Sequence, residues 1–243
     1  MNLNKLFLTN NDCYKAGKKI TVKGIMVHST GANNPWLKRY LPDDGKIGKN
    51  QYGNHWNTAR PGGIQVCVHG FIGKLADGSV ATYQTLPWNH RGWHAGGSAN
   101  NTHIGFEICE DGLSDSTYFN KVYKEAVELC AYLCKEYGLT EKDIICHSEG
   151  YKKGIASNHG DVMHWFPKHG KSMDTFRSDV KKLLSGNTTA AVTELTTVND
   201  IVWELAHRGI ISDSALWLKK LEEDTNSYWL ARKTANYLRN KNV

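Results

Sequence analysis

Two histidines and two acids stand where this chain could carry out metal-assisted hydrolysis. His28 ends the apolar run Gly24-Ile25-Met26-Val27, and His147 ends another, Ile144-Ile145-Cys146. Asp161 follows His147, with His159 two residues before it, and Glu107 lies inside Ile104-Gly105-Phe106-Glu107-Ile108. Two imidazoles and a carboxylate converging from strand ends would fill three positions around Zn²⁺ and leave a fourth for water, the layout of a catalytic rather than a structural zinc. Softness alone leaves other divalent ions open. Each residue also has a plainer reading. A histidine after a strand is commonly a hydrogen-bonded surface group, and Asp161 could be a turn residue. Glu107 is harder to dismiss, because an acid in so apolar a run needs a partner or a purpose.

The elements that must deliver these groups alternate in type. Residues 20–28, 64–72, 79–85 and 103–109 are rich in Ile, Val and Phe and read as strands, the third opened by the turn signal Asp77-Gly78. Residues 35–41 read as a short helix, and the glycine- and asparagine-rich residues 45–63 as a long loop, of the kind that often walls a binding cleft. Residues 115–137 form the clearest helix. Ser114 or Asp115 can cap it, Val122, Ala126, Leu129, Leu133 and Tyr137 recur at helical steps, and Gly138 closes it. Residues 142–146 return as a strand delivering His147, and residues 173–184 read as a final helix. Strands interleaved with helices predict an α/β layered domain.

Composition bounds the rest. At 243 residues, with 40% hydrophobic and 22% charged side chains, the chain reads as one large globular domain plus a small one. The boundaries are residues 1–185, a small-polar linker at 186–197, and three helical patterns within 198–243. In the last of these, Asn199 or Asp200 opens the first helix and Gly209 ends it. Ser212 or Asp213 opens the second and Ser227 the third, with Trp203, Trp217 and Trp229 as candidate core or ligand-binding side chains. The formal charge of +6 belongs wholly to residues 1–189, which hold 23 Lys and Arg against 17 Asp and Glu. That surplus suits contact with an anionic polymer. It is too scattered for nucleic acid, and the C-terminal segment is neutral. No stretch approaches the ~20 apolar residues of a membrane helix, so no membrane insertion is expected. The apolar N-terminal stretch is too short for a signal peptide, which predicts synthesis in the cytoplasm. No Cys-x-x-Cys pair occurs among six cysteines, so buried free thiols are expected.

Four segments resemble the type-2 N-acetylmuramoyl-L-alanine amidases, relatives of the peptidoglycan-recognition proteins that are common in phage endolysins. They are Val27-His28-Ser29-Thr30, Asp77-Gly78-Ser79-Val80 leading to Leu86-Pro87, Gly92-Trp93-His94-Ala95-Gly96 with Asn101-Thr102-His103-Ile104-Gly105-Phe106-Glu107, and the region from His147 to Asp161. Their order and spacing look like that family over roughly residues 20 to 185. The resemblance implies a mixed central β-sheet flanked by helices, followed here by a small all-α segment. It implies Zn²⁺ held by His28, His147 and Asp161, with Glu107 as general base toward the attacking water. The last segment departs from the family pattern, since His159-Gly160-Asp161-Val162-Met163 replaces the usual Lys/Arg-x-Asp-Pro-Gly. His159 therefore either takes the place of the cationic residue that stabilises the oxyanion or is itself the third ligand, with His164 a further candidate. Val68 precedes His69 where some relatives carry Tyr, which favours the Glu-based variant. His69, Trp93, His94 and Asn101 are expected to contact substrate, with Trp88 and Trp93 either stacking on sugars or packing in the core.

The implied function is cleavage of the amide between N-acetylmuramic acid and L-alanine in bacterial peptidoglycan, in an endolysin that acts on the cell wall after release. Two alternatives stay open: a non-catalytic peptidoglycan-binding protein on the same fold, and an intracellular amidase recycling soluble muropeptides. The C-terminal helices would target the wall or join two copies as a homodimer.

Overall fold

The computed structural model describes residues 1–185, 198–207 and 210–241, in two compact units, Met1–Gly186 and Asn187–Val243. The expected linker at 186–197 and the stop at Gly209 lie outside the described residues.

In the first unit the apolar runs pair into one six-stranded mixed sheet. Its strands are β1 (Leu3–Lys5), β2 (Gly24–Ser29), β3 (Gly70–Lys74), β4 (Val80–Gln84), β5 (His103–Ile108) and β6 (Ile144–Cys146), in the order β1-β4-β3-β5-β2-β6. Only β3 and β4 run antiparallel. The two-residue period of β2 and β5 sorts their side chains onto two faces. Ile25, Val27, Ile104, Phe106 and Ile108 point into one large core. Above that core lie α2 (Ser116–Tyr137) and α4 (Met173–Leu184), which bury Phe119, Val122, Ala126, Leu129 and Leu133 from the first and Phe176 and Val180 from the second. Parallel register sets His28 opposite Glu107 and Met26 opposite Gly105, so the chemistry-bearing residues share the other face.

The helix ends follow their sequence signals. Asp115 accepts the amide of Tyr118 at the start of α2, a cap worth about 1 kcal/mol, and Gly138 ends it in the left-handed region at φ 65°. Residue His147 opens α3 (His147–Lys152) directly from β6. The Glu149 carboxylate accepts the Cys146 amide and pairs through both oxygens with Arg177 of α4, fixing how that helix starts.

Three expectations need correction. Within residues 64–72 only the last part is a strand. Cys67 instead makes an isolated antiparallel bridge to Trp93. Cys67 is also bonded to Cys13, in the first turn of a five-residue helix α1 (Asp12–Ala16), so not all cysteines are free. Cys109, Cys130, Cys134 and Cys146 are buried thiols. Finally, residues 35–41 hold only a single 3-10 turn, Leu37–Arg39.

The second unit contains α5 (Val198–His207), α6 (Ser214–Glu223) and α7 (Thr225–Lys241). Ile201, Val202, Leu205, Leu221, Ala231 and Ala235 form its core, and Asp213 caps α6 by accepting the Leu216 amide. Helix α7 opens at Thr225, before the expected Ser227. Of the three tryptophans, Trp217 packs partly against this core and Trp229 is exposed, while the Trp203 side chain lies outside the described residues. Among the described residues no helix is long and apolar enough to cross a membrane.

Candidate functional site

At the carboxyl ends of β2 and β5 a cleft of about 730 Å³ is lined by His28, Glu107, His147, His159 and Asp161. Three of them converge. His28 Nδ1 lies 3.2 Å from His147 Nδ1 and 3.2 Å from Asp161 Oδ2, and His147 Nδ1 lies 3.0 Å from the same Oδ2. These atoms fall within 4.8 Å of one another, the spacing of a metal-ligand set.

The surrounding hydrogen bonds say which ring nitrogens carry protons. His94 Nε2 meets the His103 carbonyl at 3.1 Å, and a carbonyl can only accept, so that nitrogen holds the hydrogen. His94 Nδ1 then presents a lone pair to His28 Nε2 at 3.0 Å, which must donate. His28 Nδ1 is left as a lone pair. On the other side Ser157 Oγ donates to the Ala95 carbonyl at 3.3 Å and accepts from His147 Nε2 at 3.2 Å. His147 Nδ1 is a lone pair too. Burial lowers the pKa of His28, although Asp161 opposes this, and it lowers that of His94 well below the usual value, so both rings are neutral at pH 7. In these tautomers the two Nδ1 atoms and a carboxylate oxygen face one another as acceptors, a set that a divalent cation satisfies. The donor set fits zinc, and each imidazole has the supporting partner on its far nitrogen that metal-bound histidines require.

Glycines make this packing geometrically possible. A Cβ on Gly105 would sit 2.3 Å from His94 Nδ1 and within 2.6 Å of two further ring atoms. On Gly96 it would meet Ser157 Oγ at 2.5 Å. Gly105→Ala should therefore displace His94 and lower divalent-metal affinity about 10–100-fold. Competition with a colorimetric chelator would measure this, and unchanged affinity in a folded variant would remove His94 from its supporting role.

Glu107 stands across the strand pair from His28, and its Oε2 is buried with no hydrogen-bond partner. Burial, then the negative charges of Asp161 and Glu110, raise its pKa well above the usual 4.5. Of the two candidates for third ligand, Asp161 contributes the converging oxygen. His159 is exposed, with its ring 4.8 Å from that of His147. Asp161 adopts φ 45°, a left-handed conformation sparsely populated by non-glycine residues, and the strain is borne at the site itself. His164 points away from the cluster to Glu110 Oε2 at 3.0 Å.

The expected substrate contacts divide. Trp93 lines the cleft, 37% exposed, with the Arg91 guanidinium 4.7 Å from its ring. His94 also lines it, but both its nitrogens are engaged. His69 does not reach it. The ring is fully buried, accepts the Gly105 amide on Nδ1 and donates from Nε2 to the His90 carbonyl, with its pKa lowered by burial to about 4. Its expected substrate contact is replaced by a structural tie between β5 and the loop before Arg91. Asn101 lies outside the cleft lining and accepts from Arg91 at 2.7 Å. Trp88 belongs to the main core. Sequence reasoning missed Ser157, which has no motif of its own. Its only sequence signal is the Gly96-Gly97 pair that leaves room for residues 155–157.

Comparisons with known proteins give a consistent family signal. The profile described as N-acetylmuramoyl-L-alanine amidase matches residues 18–164. The N-acetylmuramoyl-L-alanine amidase XlyA of Bacillus subtilis (strain 168) is 40% identical over 68 residues, 27% of this chain and 22% of that protein. A probable N-acetylmuramoyl-L-alanine amidase of Bacillus licheniformis is 33% identical over 100 residues, 41% of this chain and 25% of its own length. The match thus spans about a quarter of these relatives. Among solved structures, the catalytic domain of XlyA superposes with a TM-score of 0.51 at 23% identity, covering 74% of this chain and 99% of that one. Staphylococcus aureus hydrolase AmiA in complex with its ligand gives 0.51 at 19% identity, covering 77% and 84%. These structural likenesses support the same mixed-sheet fold.

Proposed function

The chain belongs to the N-acetylmuramoyl-L-alanine amidase family, and from that premise we propose that it is a zinc-dependent peptidoglycan hydrolase cleaving the amide between N-acetylmuramic acid and L-alanine. The observation that carries this reading is the convergence of three possible ligand atoms, on His28, His147 and Asp161, beside an unpartnered carboxyl.

Zinc, when bound there, supplies Lewis-acid polarisation and makes water acidic enough to ionise near neutral pH. The protein's own groups do the rest. His94 and Ser157 hold the two imidazoles in the tautomer that leaves Nδ1 free. Glu107, on the same sheet face as His28, takes a proton from the attacking water and passes it to the leaving amine of L-alanine. His159, at the open side of the cleft, donates to the carbonyl oxygen as it gains charge. Trp93 offers an apolar face for a sugar ring.

We assign the product to wall lysis, as in an endolysin acting after release from the cell that made it. The C-terminal helices then serve wall targeting or self-association, with Trp229, Leu230 and Tyr237 exposed on α7. Purified protein loaded with zinc should release new L-alanine amino groups from cell walls without new reducing sugar ends. Reducing ends alone would make it a glycosidase. Binding of walls without either product would make it a non-catalytic reader on this fold.

A further inference from the structure

A second cavity, of about 520 Å³, is formed by the turn after β2 and the loop that follows it. Three cations line it, Lys38, Arg39 and Lys49, and no acid does. The two acids nearest in sequence, Asp43 and Asp44, are used inside the loop. Asp43 accepts the amides of Gly45 and Gly48, and Asp44 those of Lys46 and Ile47 together with the Tyr83 hydroxyl. The wall of the cavity is built rather than loose. Arg39 Nη1 donates to the Asn54 carbonyl at 2.9 Å, Asn50 Nδ2 meets Asn54 Oδ1 at 3.0 Å, and the Tyr52 amide donates to Asn50 Oδ1 at 2.9 Å. Among the described residues neither Lys38, whose ammonium lies 5.2 Å over the Trp36 ring, nor Lys49 is ion-paired, and Tyr52 is 83% exposed at the rim. Ile47 anchors the loop in the second core.

Uncompensated positive charge around a polar cavity selects an anion, and the side-chain amides of Gln51 and Asn34 add donors and acceptors for hydroxyl groups. A single carboxylate would engage one guanidinium. Three cations in one cavity suit a chain whose charge repeats. Gly31 lines the catalytic cleft and Asn34 lines this cavity, so at most ~10 Å of backbone separates the two. We propose that this cavity binds the phosphodiester backbone of an anionic polyol polymer of the cell wall, holding the protein beside its amide substrate. The wall location rests on the function proposed above. The binding chemistry does not.

The test uses the full chain and soluble poly(glycerol phosphate), with affinity followed by calorimetry at low and raised ionic strength. The parent should bind saturably and weaken as salt is added. Lys38→Gln/Lys49→Gln, which leaves the Arg39 anchor in place, should bind about tenfold more weakly at an unchanged melting temperature. No saturable binding by the parent, or equal binding by the double variant, overturns the proposal. So does loss in the variant of affinity for an acidic wall peptide with polymer binding intact, which would assign the cavity to a carboxylate. Hydrolysis of a soluble muramyl peptide by the parent is scored separately, so failure of the amidase reading is distinguishable from failure of this one.

Discussion

Glu107→Gln should bind as much zinc as the parent, turn over peptidoglycan about 10²–10⁴-fold more slowly, and melt at a higher temperature when metal-free at neutral pH. The first two outcomes follow from position. Glu107 is absent from the converging donor set, yet it faces the same cleft from the neighbouring strand. Glutamine keeps the shape and loses the ability to carry a proton. The third outcome follows from linkage. Burial raises the folded-state pKa above the ordinary 4.5, with Asp161 and Glu110 adding to the effect. Above pH 4.5 the folded chain therefore keeps a proton that the unfolded chain has lost, and stability falls as pH rises toward the folded pKa. Glutamine removes that penalty. An unpaired buried polar or charged group costs ~1–3 kcal/mol or more, which in a unit of this size is roughly 2–10 °C in Tm. The gain should vanish below pH 4.5 and shrink when zinc supplies a compensating charge. Full activity in the variant, or a gain independent of pH, would remove Glu107 as the proton carrier.

How much of this was readable in the sequence depends on how local each determinant is. His28 and Glu107 share a sheet face because each sits at the right phase of a two-residue alternation, and that phase is visible in Gly24–Ser29 and His103–Ile108 alone. The caps of α2, Asp115 and Gly138, are equally local. Determinants that join distant segments were hidden. The Cys13–Cys67 bond depends on the N-terminal segment folding against the loop before β3, and β1 is three residues long and defined only by its pairing with β4. His69 was misassigned because a histidine beside a strand looks the same whether it faces a cleft or, as here, donates and accepts inside the protein. The choice between Asp161 and His159 was open for a similar reason. The two are separated by one glycine, and the sequence does not show the left-handed turn at Asp161 that brings its carboxylate within 3.2 Å of both histidines.

That choice has a large measurable consequence. Asp161→Ala should lose zinc affinity by more than the ~10–100-fold that removal of a supporting partner costs, while His159→Ala should keep its metal and lose turnover, by about 10²–10³-fold if it serves the oxyanion. Asp161 brings the negative charge of the donor set to within 3.2 Å of both imidazole lone pairs. It is held there by a short 3-10 turn, Asp161–His164, whose Val162 is fully buried and whose His164 is tied to Glu110 at 3.0 Å. Trp165 and Phe166 continue that turn into the main core against Phe119 of α2. The segment that follows Asp161 is thus pinned to the core, whereas His159 precedes it on the exposed side, its ring 4.8 Å from that of His147. Zinc titrations of the two variants by equilibrium dialysis, read beside single-turnover rates, separate a ligand from a proton donor. Loss of metal in His159→Ala with retention in Asp161→Ala would reverse the assignment. Retention in both would mean that the two histidines hold the ion with a group other than either, and the turn at Asp161 would then be bearing its strain for no metal-binding gain.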